Sequence, residues 1–302
     1  MLSYLHSFHA GNHADILKHA TLFYVLEYLN KKDTPYSFFD THAGSGLYNL
    51  KTENSLKTKE AEKGILHLLE QEKQNPGEVP SSFLSYINFV KSFIKSDIYP
   101  GSPIFEISFS KKGSVVNLNE LHKKEFENLK TNVDKIKKTC TVKIFNTSGW
   151  DTLKNNVPPL IKRGAVLCDP SYEEKSDYYN AGEKLSSLHK KWNAAIIMLW
   201  YPLLKNKEEE IENMKQQILS TVKNQDEHTE VLDATLLIDK EDSHIETTLQ
   251  ESIGSEKPRL YGSGMFIVKP CWHLKEYLEQ ILPYLCKTLG RDGNASYKVE
   301  ML

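Results

Sequence analysis

Apolar and polar positions fall into two rhythms along this 302-residue chain. Short unbroken apolar runs bounded by Gly or Pro read as buried strands, and longer stretches with apolar residues three and four apart read as helices. The runs predict strands over residues 36–40, 115–121, 142–147, 163–168 and 194–200. Helical spacing predicts helices over 14–30, with Asn12 placed to cap the first turn, and over 102–109, 122–132, 178–192, 203–225 and 272–287. Two later strands, 230–238 and 264–268, are separated by the polar loop 239–258 and read as an antiparallel pair. Strands alternating with helices specify an α/β fold on a mostly parallel sheet, here of seven strands in one domain spanning 1–302. Two stretches stand outside the alternation. Residues 1–12 form a polar-aromatic N-terminal arm, and 47–98 read as a helical insertion, with helices over 59–74 and 82–95 broken by Pro76-Gly77 and Pro80.

The chemistry gathers where the strands end. The apolar run 163–168 leads into Asp169-Pro170-Ser171-Tyr172. Pro170 removes a ladder donor and fixes φ, so the strand stops in a rigid turn carrying an acceptor and a flat π face. Those groups suit the exocyclic amine of a base: Asp169 and the Pro170 carbonyl take its N–H groups and Tyr172 stacks on the ring. The same four letters also make an ordinary structural turn. The first strand ends in Asp40 and runs into Thr41-His42-Ala43-Gly44-Ser45-Gly46, whose glycines let backbone approach a ligand closely. That spacing suits a nucleoside without phosphates, such as S-adenosylmethionine. Glu120 ends the second strand, where a carboxylate can accept from both ribose hydroxyls or simply cap a helix, and Ser148-Gly149 follows the third. In a doubly wound sheet the carboxyl ends share one edge, so Gly44, Gly46, Glu120, Ser148 and Asp169 converge on one cleft.

Composition narrows the class. Hydrophobic content of 39%, charged content of 26% and a net charge of −2 describe an ordinary globule without a global basic surface, leaving local patches as the route to nucleic acid. No apolar run is long enough to span a bilayer, and the N-terminus has neither a basic nor a cleavable apolar region, so a cytoplasmic, membrane-free protein is expected. The four cysteines are scattered with no C-x-x-C pair, so neither disulfides nor structural zinc are expected. The arm and first helix carry His6, His9, His13 and His19. His9 and His13 have the i, i+4 spacing of two metal ligands, but Gly11-Asn12 breaks a helix there and no third ligand follows. They read as part of a polar lid, with no metal. Lys51, Lys57, Lys59 and Lys63 cluster at the start of the insertion, beside the candidate loop; such clusters are usually solvated surface, but with Lys111-Lys112 and Lys123-Lys124 they are local basic patches of the chain.

Met1-Leu2-Ser3-Tyr4, the run His6 through His19, Asp40-Thr41-His42-Ala43-Gly44, Tyr99-Pro100-Gly101-Ser102-Pro103, Glu120-Leu121-His122, Asp169-Pro170-Ser171-Tyr172 and Trp200-Tyr201-Pro202 together resemble the bacterial 23S rRNA adenine-N6 methyltransferase J family. The resemblance covers nearly the whole chain. It implies a Rossmann-type class I S-adenosylmethionine-dependent methyltransferase that modifies one adenine of 23S rRNA, on naked or partly assembled RNA, as a monomer. Carried over by position, it implies cofactor contacts from His19, His42, Gly44, Ser102, Glu120, Ser148, Gly149 and Asp169. Catalysis would fall to Asp169, Pro170 and Tyr172, and contact with the RNA to Tyr4 and His6. The chain departs from the family's pattern at Ser171, where a second proline is usual, and at Ser148, where an aspartate is usual; its loop 239–258 is longer. The residues alone leave two other readings open. One is a methyltransferase acting on DNA adenine or protein glutamine; the other is a non-catalytic RNA-binding protein on a methyltransferase fold.

Overall fold

The computed structural model of the protein describes residues 5–239, 260–291 and 293–302. Tyr4 and residues 240–258 of the long loop lie outside the described residues.

Helix α1 (His13–Asn30) begins where Asn12 caps it, its side-chain oxygen accepting from the Asp15 N–H at 2.9 Å. Fourteen of its 18 residues are buried, so Asp15, Lys18 and His19 have no solvent face to occupy. Strand β1 (Ser37–Asp40) follows, buried throughout.

The segment read as a helical insertion starts and ends in strand. β2 (Leu47–Asn49) precedes helices α2 (Glu53–Thr58), α3 (Glu60–Lys63), α4 (Ile65–Gln74) and α5 (Leu84–Ile94), and β3 (Ile98–Pro100) returns to pair antiparallel with β2, Tyr48 opposite Tyr99. Strands of three residues are too short to show alternation, which is why the pattern missed them.

The alternation then resumes as predicted: α6 (Ser102–Phe109), β4 (Val115–Asn119), α7 (Lys123–Asp134), β5 (Thr141–Phe145), α8 (Gly149–Asn156), β6 (Gly164–Cys168) and α9 (Lys175–Lys191). Strand β7 (Ile196–Leu204) runs past its expected end, and α10 (Glu208–Gln225) starts later than the predicted 203. Pro202 does not stop β7, because β6 reaches only as far as Leu199 and leaves that side without a ladder, while β9 still pairs Pro202 with Ser263 on the other. The chain closes with β8 (Val231–Leu237), β9 (Leu260–Val268), α11 (Leu274–Leu289) and β10 (Ser296–Met301).

The main sheet has eight strands rather than seven, in the order β5-β4-β1-β6-β7-β9-β8-β10. The five strands from β5 to β7 are parallel, and β9, β8 and β10 are antiparallel to their neighbours. β10 escaped the sequence reading although Tyr297, Val299 and Met301 alternate with Ser296, Lys298 and Glu300; it is a mostly exposed edge strand, and only Val299 of that row packs against the core. Both faces of the sheet's centre are covered, so β6 sends Ala165 and Leu167 to the core under α1 and α11, and Val166 and Cys168 to the core under α9 and α10. A strand buried on both faces has to be apolar throughout.

Candidate active site

β6, β1 and β4 are adjacent and parallel, with Asp40 in register with Leu167 and Leu118. Asp40, Glu120 and Asp169 therefore leave the sheet along one edge. β1 and β6 are also where the chain reverses its winding, having gone outward through β4 and β5 before crossing back. The crevice outside such a reversal is the ligand site of doubly wound sheets.

A cavity of about 270 Å³ opens there, bordered by His19, His42, Gly44, Ser102, Glu120, Ser148, Gly149, Asp169 and Pro170, with His6 at its rim. All eight residues expected at the cofactor thus line one space. Gly44 takes φ +59°, and a Cβ on it would sit 2.1 Å from the Tyr48 hydroxyl, so only glycine turns the loop there. The Gly44 N–H donates to Glu120 Oε2 at 2.9 Å and the His122 N–H to Oε1 at 2.6 Å, which points the carboxylate across the cavity. Burial raises the Glu120 carboxyl above its ordinary range against these two donors. Gly149 begins α8 against Thr41, where a Cβ would lie 2.3 Å from the Thr41 carbonyl oxygen. Ser148 makes no side-chain cap bond.

A second cavity of about 340 Å³ shares His6, Lys18, Asp169, Pro170 and Ser171 with the first, and is closed by Tyr172, Trp200, Pro202, Leu204 and Leu260. Tyr172 stands at φ +53°, an uncommon conformation for a bulky residue and one that collects at functional turns. It is 5% exposed: its ring packs on Tyr178, with centroids 4.6 Å apart, and its hydroxyl donates to the Trp200 carbonyl at 2.8 Å. The β7 extension past Pro202 supplies much of the rest of this wall.

Lysine 18 joins the two cavities. Its ammonium donates to Asp169 Oδ2 and lies 2.9 Å from Asp15 Oδ1, at 5% exposure of its side chain. Asp15 Oδ2 in turn accepts from the Gly11 N–H at 2.9 Å and lies 2.9 Å from His6 Nε2. Burial works against both charges, but the carboxylates of Asp15 and Asp169 raise the Lys18 ammonium. Against burial, His6 and the Lys18 ammonium hold the Asp15 carboxyl well below the usual range. His42 is lowered to about 4 by burial and the nearby Lys18 charge, and His19 to about 3 by burial, so both are neutral near pH 7. His19 Nδ1 is 2.8 Å from the Tyr99 hydroxyl on β3.

Sequence reasoning missed Lys18, Asp15 and the β7 wall. The signal for the first two was available: α1 is apolar around its whole circumference, and a lysine with an acid three residues before it has to be paired inside such a helix. His9 and His13 do not share a helix face. Gly11 turns the chain between them at φ +80°, and His9 Nδ1 lies 2.8 Å from Glu60 Oε1 on α3. Among the described residues no three His, Cys, Asp or Glu groups converge as a metal set, and no helix is long and apolar enough to cross a membrane.

The family model for ribosomal RNA large subunit methyltransferase D, RlmJ, matches residues 33–302. The chain is 32% identical over 309 residues to the ribosomal RNA large subunit methyltransferase J of Escherichia coli, covering 100% of this chain and 99% of that one. It is 33% identical over 306 residues to the protein of the same name from Haemophilus influenzae, with the same coverage. A crystal structure of a Legionella pneumophila protein superposes with a TM-score of 0.79 at 28% identity, covering 97% of this chain and 98% of that one. The chain belongs to the ribosomal RNA large subunit methyltransferase J family.

Proposed function

We propose that the protein transfers a methyl group from S-adenosylmethionine to the N6 amine of one adenine in 23S rRNA. The observation that carries this reading is the meeting of two cavities at Asp169 and Pro170, one suited to a cationic nucleoside and one to a planar base. The first is bordered by Glu120, Glu125, Asp169 and Asp177 against a single lysine, Lys18, a donor set that favours a ligand carrying positive charge. Gly44 and Gly149 let their loops pack closely on Tyr48 and Thr41 at the cavity's border, and Glu120 stands at the strand end suited to ribose hydroxyls. His19, His42, Ser102 and Ser148 complete the contacts. Bound there, S-adenosylmethionine supplies an electrophilic methyl on a sulfonium sulfur.

The second cavity takes the target adenine, which has to leave its stack to be reached. Tyr172 and Trp200 form its aromatic wall, and contact of this kind is worth about 1–3 kcal/mol per base. Lys18, anchored by Asp15, holds one oxygen of Asp169 and leaves the other to accept an N–H of the amine; the Pro170 carbonyl accepts the second. Both acceptors add electron density to a weakly nucleophilic nitrogen and fix its direction of attack, so orientation supplies most of the acceleration. As the nitrogen–methyl bond forms, the bond to sulfur breaks with its electron pair on sulfur. The amine, now cationic, releases a proton to Asp169 or water. Ser171, the departure from the usual second proline, lines both cavities but leaves Pro170 and its carbonyl in place. His6, His9 and Asn12 line the second cavity, on the side where the RNA approaches.

The test is labelled methyl transfer to unmodified 23S rRNA, followed by mass mapping. One N6-methyladenosine is expected with the wild-type protein, and none above background with Asp169→Ala at unchanged fold. Label entering DNA or protein instead, or turnover by the Asp169 variant, would remove this assignment.

A further inference from the structure

Beneath the first cavity lies an acid pair that no step above uses. Asp40, at the end of β1, and Glu106, on α6, are both 0% exposed. Each Asp40 oxygen has a donor: Oδ1 takes the His42 N–H at 3.0 Å and Oδ2 takes the Ser102 hydroxyl at 2.7 Å. Neither oxygen of Glu106 has a hydrogen-bond donor among the described residues. Among the described residues, the titratable groups acting most strongly on Glu106 are Asp40 and Cys140, and those on Asp40 are Glu106 and Asp169; none of these is a cation. Two ionised carboxylates cannot share a dry site without a counter-charge, so one of them holds a proton. Asp40 already has two donors, so the proton belongs on Glu106, whose O–H then points at Asp40. Burial and the facing Asp40 push the Glu106 carboxyl well above its ordinary range, in keeping with this arrangement.

We infer that Glu106 is a positioning residue of the cofactor site: protonated, it donates to Asp40, which holds the Ser102 hydroxyl with its lone pairs turned into the cavity. The chain Glu106–Asp40–Ser102 ends in an acceptor backed by a single negative charge. Its complement is a cationic donor on the ligand, and the α-ammonium of an amino-acid moiety is such a group. A neutral Glu106 limits the buried charge behind Ser102 to one, and its hydrogen bond keeps Asp40 from rotating away. The inference rests on the cofactor reading of this cavity and adds which part of the ligand this wall selects.

Three variants and two ligands test it by calorimetry. Glu106→Gln keeps a neutral donor, Glu106→Leu removes the donor at similar volume, and Ser102→Ala removes the far end of the chain. The ligands are S-adenosylmethionine and 5′-methylthioadenosine, a nucleoside without the amino-acid arm. Loss of a hydrogen bond to a charged group predicts about tenfold weaker S-adenosylmethionine binding in Glu106→Leu, and 5′-methylthioadenosine binding within about twofold of wild type. Glu106→Gln should bind both ligands as wild type does, and Ser102→Ala should repeat the discrimination of the leucine variant, which keeps the test decisive if that variant fails to fold. Equal weakening for both ligands, or a glutamine variant as impaired as the leucine one, would overturn the positioning role. Failure of the wild-type protein to bind either ligand would overturn the cofactor reading itself.

Discussion

At the scale of single residues, the site is governed by what burial does to charge. Lys18 sits between Asp15 and Asp169 with 5% of its side chain exposed, so among the described residues its charge is balanced by those two carboxylates. Breaking a buried pair by deleting one partner strands the other, a loss of about 3–5 kcal/mol. Lys18→Met is therefore expected to lower stability by that order in denaturant melts and to abolish methyl transfer; a variant as stable as wild type would mean that Asp15 and Asp169 find other partners. His13 makes an independent case. Burial, assisted by the Arg291 charge and opposed by Glu60 and Asp15, lowers it from 6.5 to about 4. A base whose folded value is depressed binds its proton more readily in the unfolded chain, so its contribution to stability is lost as pH falls below 6.5 toward 4. His13→Asn should thus gain on wild type by about 1–2 kcal/mol between pH 6.5 and 5. Parallel stability curves for the two proteins across that window would contradict the burial argument.

Elements were legible in proportion to how strongly their pattern is forced. β1 and β6, buried on both faces, could be read to within a residue, as could α1 with its Asn12 cap. The β2–β3 ribbon could not, because strands this short place little demand on sequence, and β10 was passed over although Tyr297, Val299 and Met301 do alternate with polar residues. The end of β7 was misread for another reason: Pro202 and the charged run after it are local signals, while the pairing with β9 that keeps the strand going is a tertiary fact. That pairing is tight. A Cβ on Gly264 of β9 would fall 2.2 Å from the ring of Tyr201, and the ring cannot swing aside because its hydroxyl bonds Asp233 at 2.6 Å. Asp233 also pairs with Lys215 of α10 at 3.0 Å. Gly264→Ala is expected to cost about 1–3 kcal/mol in thermal or denaturant unfolding, as overpacking against a fixed ring does. An unchanged midpoint would show that the β7–β9 extension yields more easily than this geometry implies.

For the molecule as a whole, the convergence of strand ends was the part of the site that sequence could supply, since parallel strands in one sheet share their carboxyl edge whatever their order. It could not supply the second cavity, which needs α1 and the β7 extension brought to the same place by packing. The arm adds a further tie: the Ser55 hydroxyl of α2 donates to the Ser7 carbonyl at 3.0 Å, and Glu60 of α3 meets His9. The lysine-bearing start of the insertion therefore lies against the arm that reaches the second cavity. Lys57 and Lys63 are both exposed on this surface. If the insertion guides RNA toward the captured adenine, its lysines act through phosphates, and each phosphate contact steepens the dependence of affinity on salt. Replacing Lys57 and Lys63 together by Ala should weaken 23S rRNA binding and reduce the slope of log K against log salt by about 1.5. S-adenosylmethionine affinity should stay as in wild type, because neither lysine borders the first cavity. An unchanged slope would move the RNA path off the insertion and leave Lys111-Lys112 and Lys123-Lys124 as the next surfaces to test.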